Sequence, residues 1–194
     1  MERLYLIRHG AAESNLKRLY LGRSDVPLCQ TGIEQARSRK AQGLPAADRL
    51  FSSPLTRCLQ TARILYPSMR PVIIPQFIEI DFGRFEGKNH RELLAGDPDY
   101  GLWLASGGEA PIPGGESMAQ FKDRVRRGFF KMLELCSGTS AVAVVHGGTI
   151  MALLSQLCTP PRGFYDSLTQ NCGMVACRWD GSRLAVTEGE ACHD

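Results

Sequence analysis

The stretch Arg3-Leu4-Tyr5-Leu6-Ile7-Arg8-His9-Gly10 and the later stretch Ala141-Val142-Ala143-Val144-Val145-His146-Gly147-Gly148 end in the same way. Each is a short apolar run that reads as a buried strand, and each runs directly into histidine and glycine. In open α/β sheets, ligands sit outside the carboxyl ends of the strands. A glycine just past the histidine removes a side chain, so backbone amides can approach an anion. The helix expected from about Gly147 would point its positive dipole end at the same place. One histidine closing a strand is an ordinary structural feature. Two of them, with Arg8 before the first and glycine after both, read as one site.

Working outward, strands and helices alternate. Thr31-Gly32-Ile33-Glu34 reads as a capping box opening a helix to about Gly43. Asp48 to Phe51 is a second strand. It leads into Ser52-Ser53-Pro54, where Ser53 suits a helix N-cap and Pro54 the first turn. Leu55, Leu59, Ala62 and Leu65 share a face of that helix, which stops before Pro67. Val72 to Ile74 is a third strand. Residues 76–115, with eight glycines from Gly83 to Gly115, read as an irregular cover over an active site. Ser117 opens a helix along Phe121, Val125, Phe129, Met132, Leu133 and Cys136, and Ile150, Leu153, Leu154 and Leu157 mark another. Met174–Trp179 and Leu184–Thr187 read as a closing hairpin around Asp180-Gly181. Alternation of this kind predicts an α/β layered sheet, and 194 residues fit a single domain over 1–194.

Composition narrows the function classes. Hydrophobic residues are 43% and charged residues 22%, with a formal net charge of +3, which argues for neither a nucleic-acid nor a membrane partner. No stretch approaches the roughly 18 apolar residues of a membrane span. Of the 23 basic residues 18 are arginine, a bias that fits an anionic ligand or a genomic base bias. The seven cysteines are odd in number and lack any CxxC spacing, and no signal peptide precedes the first strand. Reduced thiols in a cytoplasmic protein are therefore expected, and a disulfide scaffold or zinc ribbon is excluded. Monomer and homodimer both stay open.

Arg57 lies one turn into the helix after the second strand, again at a carboxyl edge. Two guanidinium forks and two imidazoles around one spot would hold a dianionic phosphoryl group. The sequence has neither a P-loop nor the paired aspartates of a magnesium site, so no metal or other cofactor is expected. A neutral imidazole attacking phosphorus remains, and it needs an acid for the leaving oxygen. Cys172 to Arg178 spells the Cys-x5-Arg of a cysteine phosphatase. However, 174–179 read as strand, and Trp179 stands where a hydroxyl belongs, so the match is set aside. His90 reads as a lone surface histidine, and Cys192-His193 as a frayed tail.

These residues resemble the histidine phosphatase superfamily, in its phosphoglycerate mutase-like branch, along essentially the whole chain. The likeness rests on Arg8-His9-Gly10, Asn15, and the loop with Gly22, Asp25, Pro27-Leu28, Thr31-Gly32 and Gln35-Ala36. It continues through Ser52-Ser53-Pro54-Leu55, Arg57, Gln60-Thr61-Ala62, Glu79-Ile80-Asp81-Phe82-Gly83, Glu86-Gly87, Pro113-Gly114-Gly115-Glu116-Ser117 and Val145-His146-Gly147-Gly148. The resemblance implies a three-layer α/β/α fold around a mostly parallel sheet, with the Gly-rich segment as lid. It implies that His9 is the nucleophile that becomes phosphorylated. Arg8, Arg57 and His146 would clamp the phosphoryl oxygens, with Asn15 and Gly147 contributing to phosphate binding, and Glu79 would serve as proton donor and then base. A small phosphomonoester would be the substrate.

Ala11-Ala12 depart from the polar pair that usually follows the motif's glycine, and Phe85 stands where a tryptophan is common. The Glu79–Gly87 stretch is closest to the α-ribazole 5′-phosphate phosphatases of cobalamin biosynthesis. Within the family, broad-specificity or sugar-phosphate phosphatases and phosphoglycerate mutases are the alternatives. Outside it stands a non-catalytic phosphate-binding protein. Leu102, Trp103 and Arg91 are candidates to touch the leaving group, with packing the rival role for the first two.

Overall fold

The computed structural model describes residues 1–187. Strands β1 (Arg3–Arg8), β2 (Arg49–Ser52), β3 (Val72–Ile73), β4 (Ser140–Val145), β5 (Met174–Trp179) and β6 (Leu184–Val186) form one six-stranded sheet in the order β3-β2-β4-β1-β5-β6. The first four run parallel, and β5 is antiparallel to both β1 and β6. The register from Arg3 opposite Ser140 to Arg8 opposite Val145 ends β1 and β4 side by side. The His9 amide then donates to the Val145 carbonyl at 3.0 Å. The two His-Gly endings are therefore neighbours in space because their strands are neighbours in the sheet.

Side-chain alternation divides the core in two. Leu4, Leu6, Ala141, Ala143 and Val145 face one side, whereas Ile7, Leu50, Val142 and Val144 face the other. Helices α6 (Met118–Leu135) and α7 (Gly147–Leu157) cover the first side; α2 (Gln30–Ala41) and α3 (Thr56–Leu65) cover the second. This is the three-layer α/β/α arrangement expected. Helix α6 starts at an N-cap formed by Ser117, whose hydroxyl accepts from the Gln120 amide. It buries Phe121, Val125, Phe129 and Met132 completely. Truncating Phe129 to alanine would cost roughly 3–5 kcal/mol.

Two helix starts differ from the expectation. Helix α2 begins at Gln30 with Cys29 as its uncapped N-cap, so Thr31 lies inside the first turn and makes no capping box. Tertiary anchoring overrides the local signal here: the Cys29 amide donates to the Ala11 carbonyl at 3.0 Å. Helix α3 begins at Thr56 rather than at a Ser53 cap. Its first amide is instead held from a distant loop, by Asp25 Oδ1 at 2.7 Å.

The cover is also more regular than expected. After 3₁₀ turns at Pro75–Phe77 and Gly83–Phe85 come α4 (His90–Gly96) and α5 (Pro98–Ala105), following a short α1 (Glu13–Leu16) in the first loop. The Asn89 and Asp97 side chains accept amide protons of Glu92 and Asp99 and so cap α4 and α5. Glycine content concealed these helices because their lengths, seven and eight residues, leave little periodicity to read. Tyr100 and Trp103 stack at 5.8 Å inside the core, and Leu102 on the opposite side is 64% exposed. Trp103 thus packs; Leu102 and Arg91 lie out in solvent. Among the described residues no helix is long and apolar enough to cross a membrane.

Candidate active site

His9 leaves β1 and turns its Nδ1 onto the carbonyl of Gly10 at 2.7 Å. A carbonyl only accepts, so Nδ1 carries the ring proton and Nε2 keeps its lone pair. The Arg57 Nε–H donates to that lone pair at 3.2 Å. Burial, followed by the charge of Arg57, pushes the His9 pKa well below the usual histidine range. Its ring is therefore neutral near pH 7. Gly10 has to be glycine, because a Cβ there would lie 2.4 Å from the Gly32 carbonyl oxygen.

His146 lies edge-on to His9, with ring centroids 5.1 Å apart, and is fully buried. Ser53 Oγ lies 2.7 Å from His146 Nε2, which is what Ser53 does in place of capping a helix. Burial and the neighbouring Arg57 lower the His146 pKa strongly as well. Cys58 places its sulfur 3.5 Å from Nε2, and burial pushes this thiol far up, so it stays protonated.

Arg57 is completely buried, and its two terminal nitrogens donate to the carbonyls of Ser24 and Gly22 at 2.8 and 2.7 Å. Those carbonyls are fixed from behind. The Glu86 carboxylate accepts from the amides of Gly22 at 2.9 Å and Ser24 at 3.1 Å. Arg8 donates to the Thr169 carbonyl at 2.6 Å, while its buried Nε has no hydrogen-bond partner among the described residues. A buried unpaired guanidinium N–H is a costly donor that an anionic oxygen would satisfy. Burial lowers the pKa of both arginines, as expected of cations held from water without a full counter-charge. A Cβ at Gly147 would come 3.4 Å from the Arg8 guanidinium carbon, an ordinary contact distance that places the start of α7 directly against the fork. Asn15 accepts from the Ala12 amide through Oδ1 and lines a groove together with Arg8.

Glu79 sits on the other side of the cluster, 8% exposed. Its oxygens accept from the amides of Ile80 at 3.0 Å and Gly148 at 2.9 Å, the latter in the first turn of α7. Burial raises its pKa above the usual carboxylate range against the opposing pull of these amides and of Arg57 and Arg8. The result is a carboxyl group able to hold a proton beside two cations. Within 4 Å of the position for a Gly148 Cβ, the Glu79 Oε1 atom lies at only 2.3 Å, so the helix start and the carboxylate fit only around glycine.

All five residues given catalytic roles by resemblance, together with Asn15 and Gly147, thus converge at one sheet edge. The framework behind them was only partly legible: Gln35, Thr61 and Glu116 stand in the quoted motifs without a role, and Arg124 was not singled out. Arg124 on α6 donates to the carbonyls of Gln76, Ile78 and Glu79 and forms a two-pronged pair with Glu116 at 2.8 and 2.7 Å. Its signal was an arginine three residues past buried Phe121, on the edge of an apolar stripe. Thr61 and Gln35 accept the amides of Gly10 and Ala11, which explains why Ala11-Ala12, both buried, need no polar side chains to hold the loop. His90 is exposed, as expected, but it is not without a partner, since its Nδ1 meets the Tyr100 hydroxyl at 2.7 Å. Cys172 and Arg178 do not form a phosphate loop, because Arg178 lies inside β5. Cys192-His193 lies outside the described residues. Among those described, no group of three or more His, Cys, Asp or Glu is arranged to hold a metal ion.

Residues 4–190 match the family model of the histidine phosphatase superfamily (branch 1). The adenosylcobalamin/alpha-ribazole phosphatase of Escherichia coli (strain K12) is 34% identical over 164 residues, covering 82% of this chain and 80% of that protein. The probable phosphoglycerate mutase GpmB of Enterobacter sp. (strain 638) is 33% identical over 162 residues, 81% of this chain and 75% of that one. The crystal structure of the alpha-ribazole phosphatase from Shigella flexneri superposes with a TM-score of 0.85 at 27% identity, covering 99% of this chain and 98% of the other.

Proposed function

The chain belongs to the histidine phosphatase superfamily, and from that premise we propose that it hydrolyses phosphomonoesters through a phosphohistidine on Nε2 of His9. The observation that carries this reading is the fixed tautomer of His9: Nδ1–H on the Gly10 carbonyl, and the Nε2 lone pair beside Arg57.

The substrate phosphoryl group replaces the Arg57 contact at Nε2 and fills the unpaired donor of Arg8. His146 contributes through the ring nitrogen that Ser53 leaves free. Nε2 attacks phosphorus, the bond to the ester oxygen breaks, and protonated Glu79 gives its proton to the departing alkoxide. Arg8 and Arg57 supply the positive charge that phosphoryl transfer requires, without a metal ion as part of this reading. Glu79, now a carboxylate, takes a proton from water as it attacks the phosphohistidine. The N–P bond breaks, inorganic phosphate leaves, and both groups return to their starting states.

Two similar proteins carry alpha-ribazole phosphatase in their names, and the Glu79–Gly87 stretch points the same way. α-Ribazole 5′-phosphate is therefore the substrate of first choice. The test is kcat/KM for phosphate release in the presence of a chelator, from α-ribazole 5′-phosphate, 3-phosphoglycerate and p-nitrophenyl phosphate, with His9→Ala as control. A preference of about 10²-fold for the first, some 2.7 kcal/mol of transition-state stabilisation, supports that substrate. Equal turnover of all three removes it. Full activity in His9→Ala overturns the mechanism.

A further inference from the structure

The phosphate clamp and the acid come from separate segments, yet in-line transfer needs both fixed about one phosphorus atom. Arg57 takes its position from the carbonyls of Gly22 and Ser24. Glu79 belongs to the segment that continues through Ile80 and Asp81. The two segments touch. A Cβ at Gly22 would run into the Ile80 carbonyl oxygen, so only glycine lets the clamp loop lie against the residue that follows the acid.

Between those two carbonyls stands Arg23, and its side chain crosses the same boundary. The guanidinium lies 3.3 Å from Asp81 Oδ2 and 3.8 Å from Glu116 Oε2. Both carboxylates are tied to the acid segment. Asp81 Oδ1 accepts the Gly83 amide at 2.9 Å, and the Glu116 amide donates to the Asp81 carbonyl at 3.0 Å. Glu116 Oε2 also accepts from Arg124 at 2.7 Å, and Arg124 reaches the Glu79 carbonyl at 3.2 Å. Charges of alternating sign thus run from clamp loop to acid: Arg23, then Asp81 and Glu116, then Arg124. The acid end of this chain is buried, whereas 46% of the Arg23 side chain and 29% of that of Asp81 are exposed. An ion pair so exposed adds little to folding stability, so its use lies elsewhere.

We propose that Arg23 is a positioning residue: through Asp81 it holds the phosphate clamp in register with Glu79, without touching substrate. The inference rests on the phosphatase reading above. Without this tie the phosphoryl group is still bound by the clamp, but the leaving oxygen and the Glu79 proton no longer meet in one place. The step that suffers is protonation of the leaving group.

The experiment measures first-turnover rates at saturating substrate for an alkyl ester (α-ribazole 5′-phosphate or 3-phosphoglycerate, whichever is turned over) and for p-nitrophenyl phosphate. The variants are Arg23→Gln and Asp81→Asn, the second of which keeps the Oδ1 acceptor for Gly83 and removes only the charge. In each, the alkyl rate falls about tenfold, part of the 10²-fold that a full ångström of misplacement costs. The aryl rate, whose leaving group needs no proton, falls less than about twofold. The double variant is no worse than either single one, and Arg23→Lys recovers most of the loss. Salt at about 0.5 M narrows the gap between wild type and Arg23→Gln, because a half-exposed pair is screened. An unchanged alkyl-to-aryl ratio in Arg23→Gln overturns the proposal, as does an equal loss on both esters or a multiplication of the losses in the double variant. A rise in KM in Arg23→Gln that Asp81→Asn does not share makes Arg23 a substrate contact and overturns it too. If the wild type turns over no alkyl ester, or His9→Ala hydrolyses both esters normally, the phosphatase reading itself fails and takes this inference with it.

Discussion

Replacing Gly148 with alanine separates stability from chemistry at the start of α7. The added Cβ would lie 2.3 Å from Glu79 Oε1 and 3.0 Å from its carboxyl carbon. Contact distance for such atoms is about 3.5 Å, so the carboxylate must retreat by about 1 Å. The atom in the way is the tip of a flexible side chain, so the backbone has no need to move. Alanine is also the better helix former, by about 0.8–1.0 kcal/mol in a helix interior. Retreat of the carboxylate breaks its hydrogen bond to the Gly148 amide, 2.9 Å in the wild type. A misplacement of this size at a reacting group costs on the order of 10²-fold, about 2.7 kcal/mol of barrier.

Gly148→Ala should therefore melt within a few degrees of wild type and lose about 10²-fold in kcat on an alkyl phosphate. With p-nitrophenyl phosphate, whose leaving group needs no proton, phosphorylation of His9 survives and hydrolysis of the phosphohistidine stalls. Stopped-flow then shows a burst of p-nitrophenol followed by slow turnover. The double variant Gly148→Ala, Glu79→Asp, with its shorter carboxylate, should recover part of the loss. Retention of kcat within threefold by Gly148→Ala would refute the placement of Glu79 as the proton-transfer group.

Glu86→Ala removes the acceptor that fixes the Gly22 and Ser24 amides, whose carbonyls hold Arg57. The inhibition constant of inorganic phosphate should rise about tenfold with a smaller change in kcat, and an unchanged constant would disconnect this loop from the clamp. His9 and His146 have pKa values below the ordinary histidine range, so the folded state keeps them neutral while the unfolded chain protonates them below about pH 6.5. Stability they lend above that pH is lost as pH falls toward their folded values, by up to about 1.4 kcal/mol per pH unit for each. Denaturant titrations from pH 7 to 5 should show a shallower loss in His146→Gln, and parallel curves would count against the buried neutral ring. Arg124→Met leaves buried Glu116 with only the 3.8 Å contact of Arg23, strips three carbonyls of their donor, and should cost about 3–5 kcal/mol in urea unfolding. Removing both charges in Arg124→Met, Glu116→Leu should return most of that, and simple additivity of the two losses would contradict a coupled pair.

The sheet and the two histidine-bearing strand ends were legible because apolar runs and His-Gly endings are local signals. Alternation of strands and helices predicted a layered α/β sheet, the family resemblance implied its three layers, and the strand reading of 174–179 correctly set aside the Cys172–Arg178 match. Helix starts were less legible. Ser53 has the side chain of an N-cap, but His146 claims its hydroxyl and Asp25 supplies the cap from a loop far away in sequence. Thr31 and Glu34 spell a capping box, yet the bond from Cys29 to Ala11 fixes where α2 begins. The cover concealed α4 and α5 because Asn89 and Asp97 caps and a few aromatic contacts carry them, with almost no period to detect. The same limit applies to the site. Nothing local to Arg124 announces that it gathers three carbonyls from a turn 45 to 48 positions away. Likewise, nothing near Glu79 announces that burial will lift its pKa. These properties exist only once distant segments meet.

The position of β1 in the sheet has a consequence for the chain as it is being made. Arg8 and His9 arrive first, yet β1 is flanked by β4 and β5, both contributed by the C-terminal third. His146, the Gly148 amide and the Asn171 side chain that donates to the His9 carbonyl at 2.9 Å arrive with those strands. A ribosome-bound chain that has not yet extruded residue 140 holds Arg8 and His9 on a strand lacking both neighbours, without His146 or the Gly148 amide that Glu79 accepts. Under the proposed mechanism such a chain would be inert toward phosphate esters, and activity would wait for the C-terminal third of the chain.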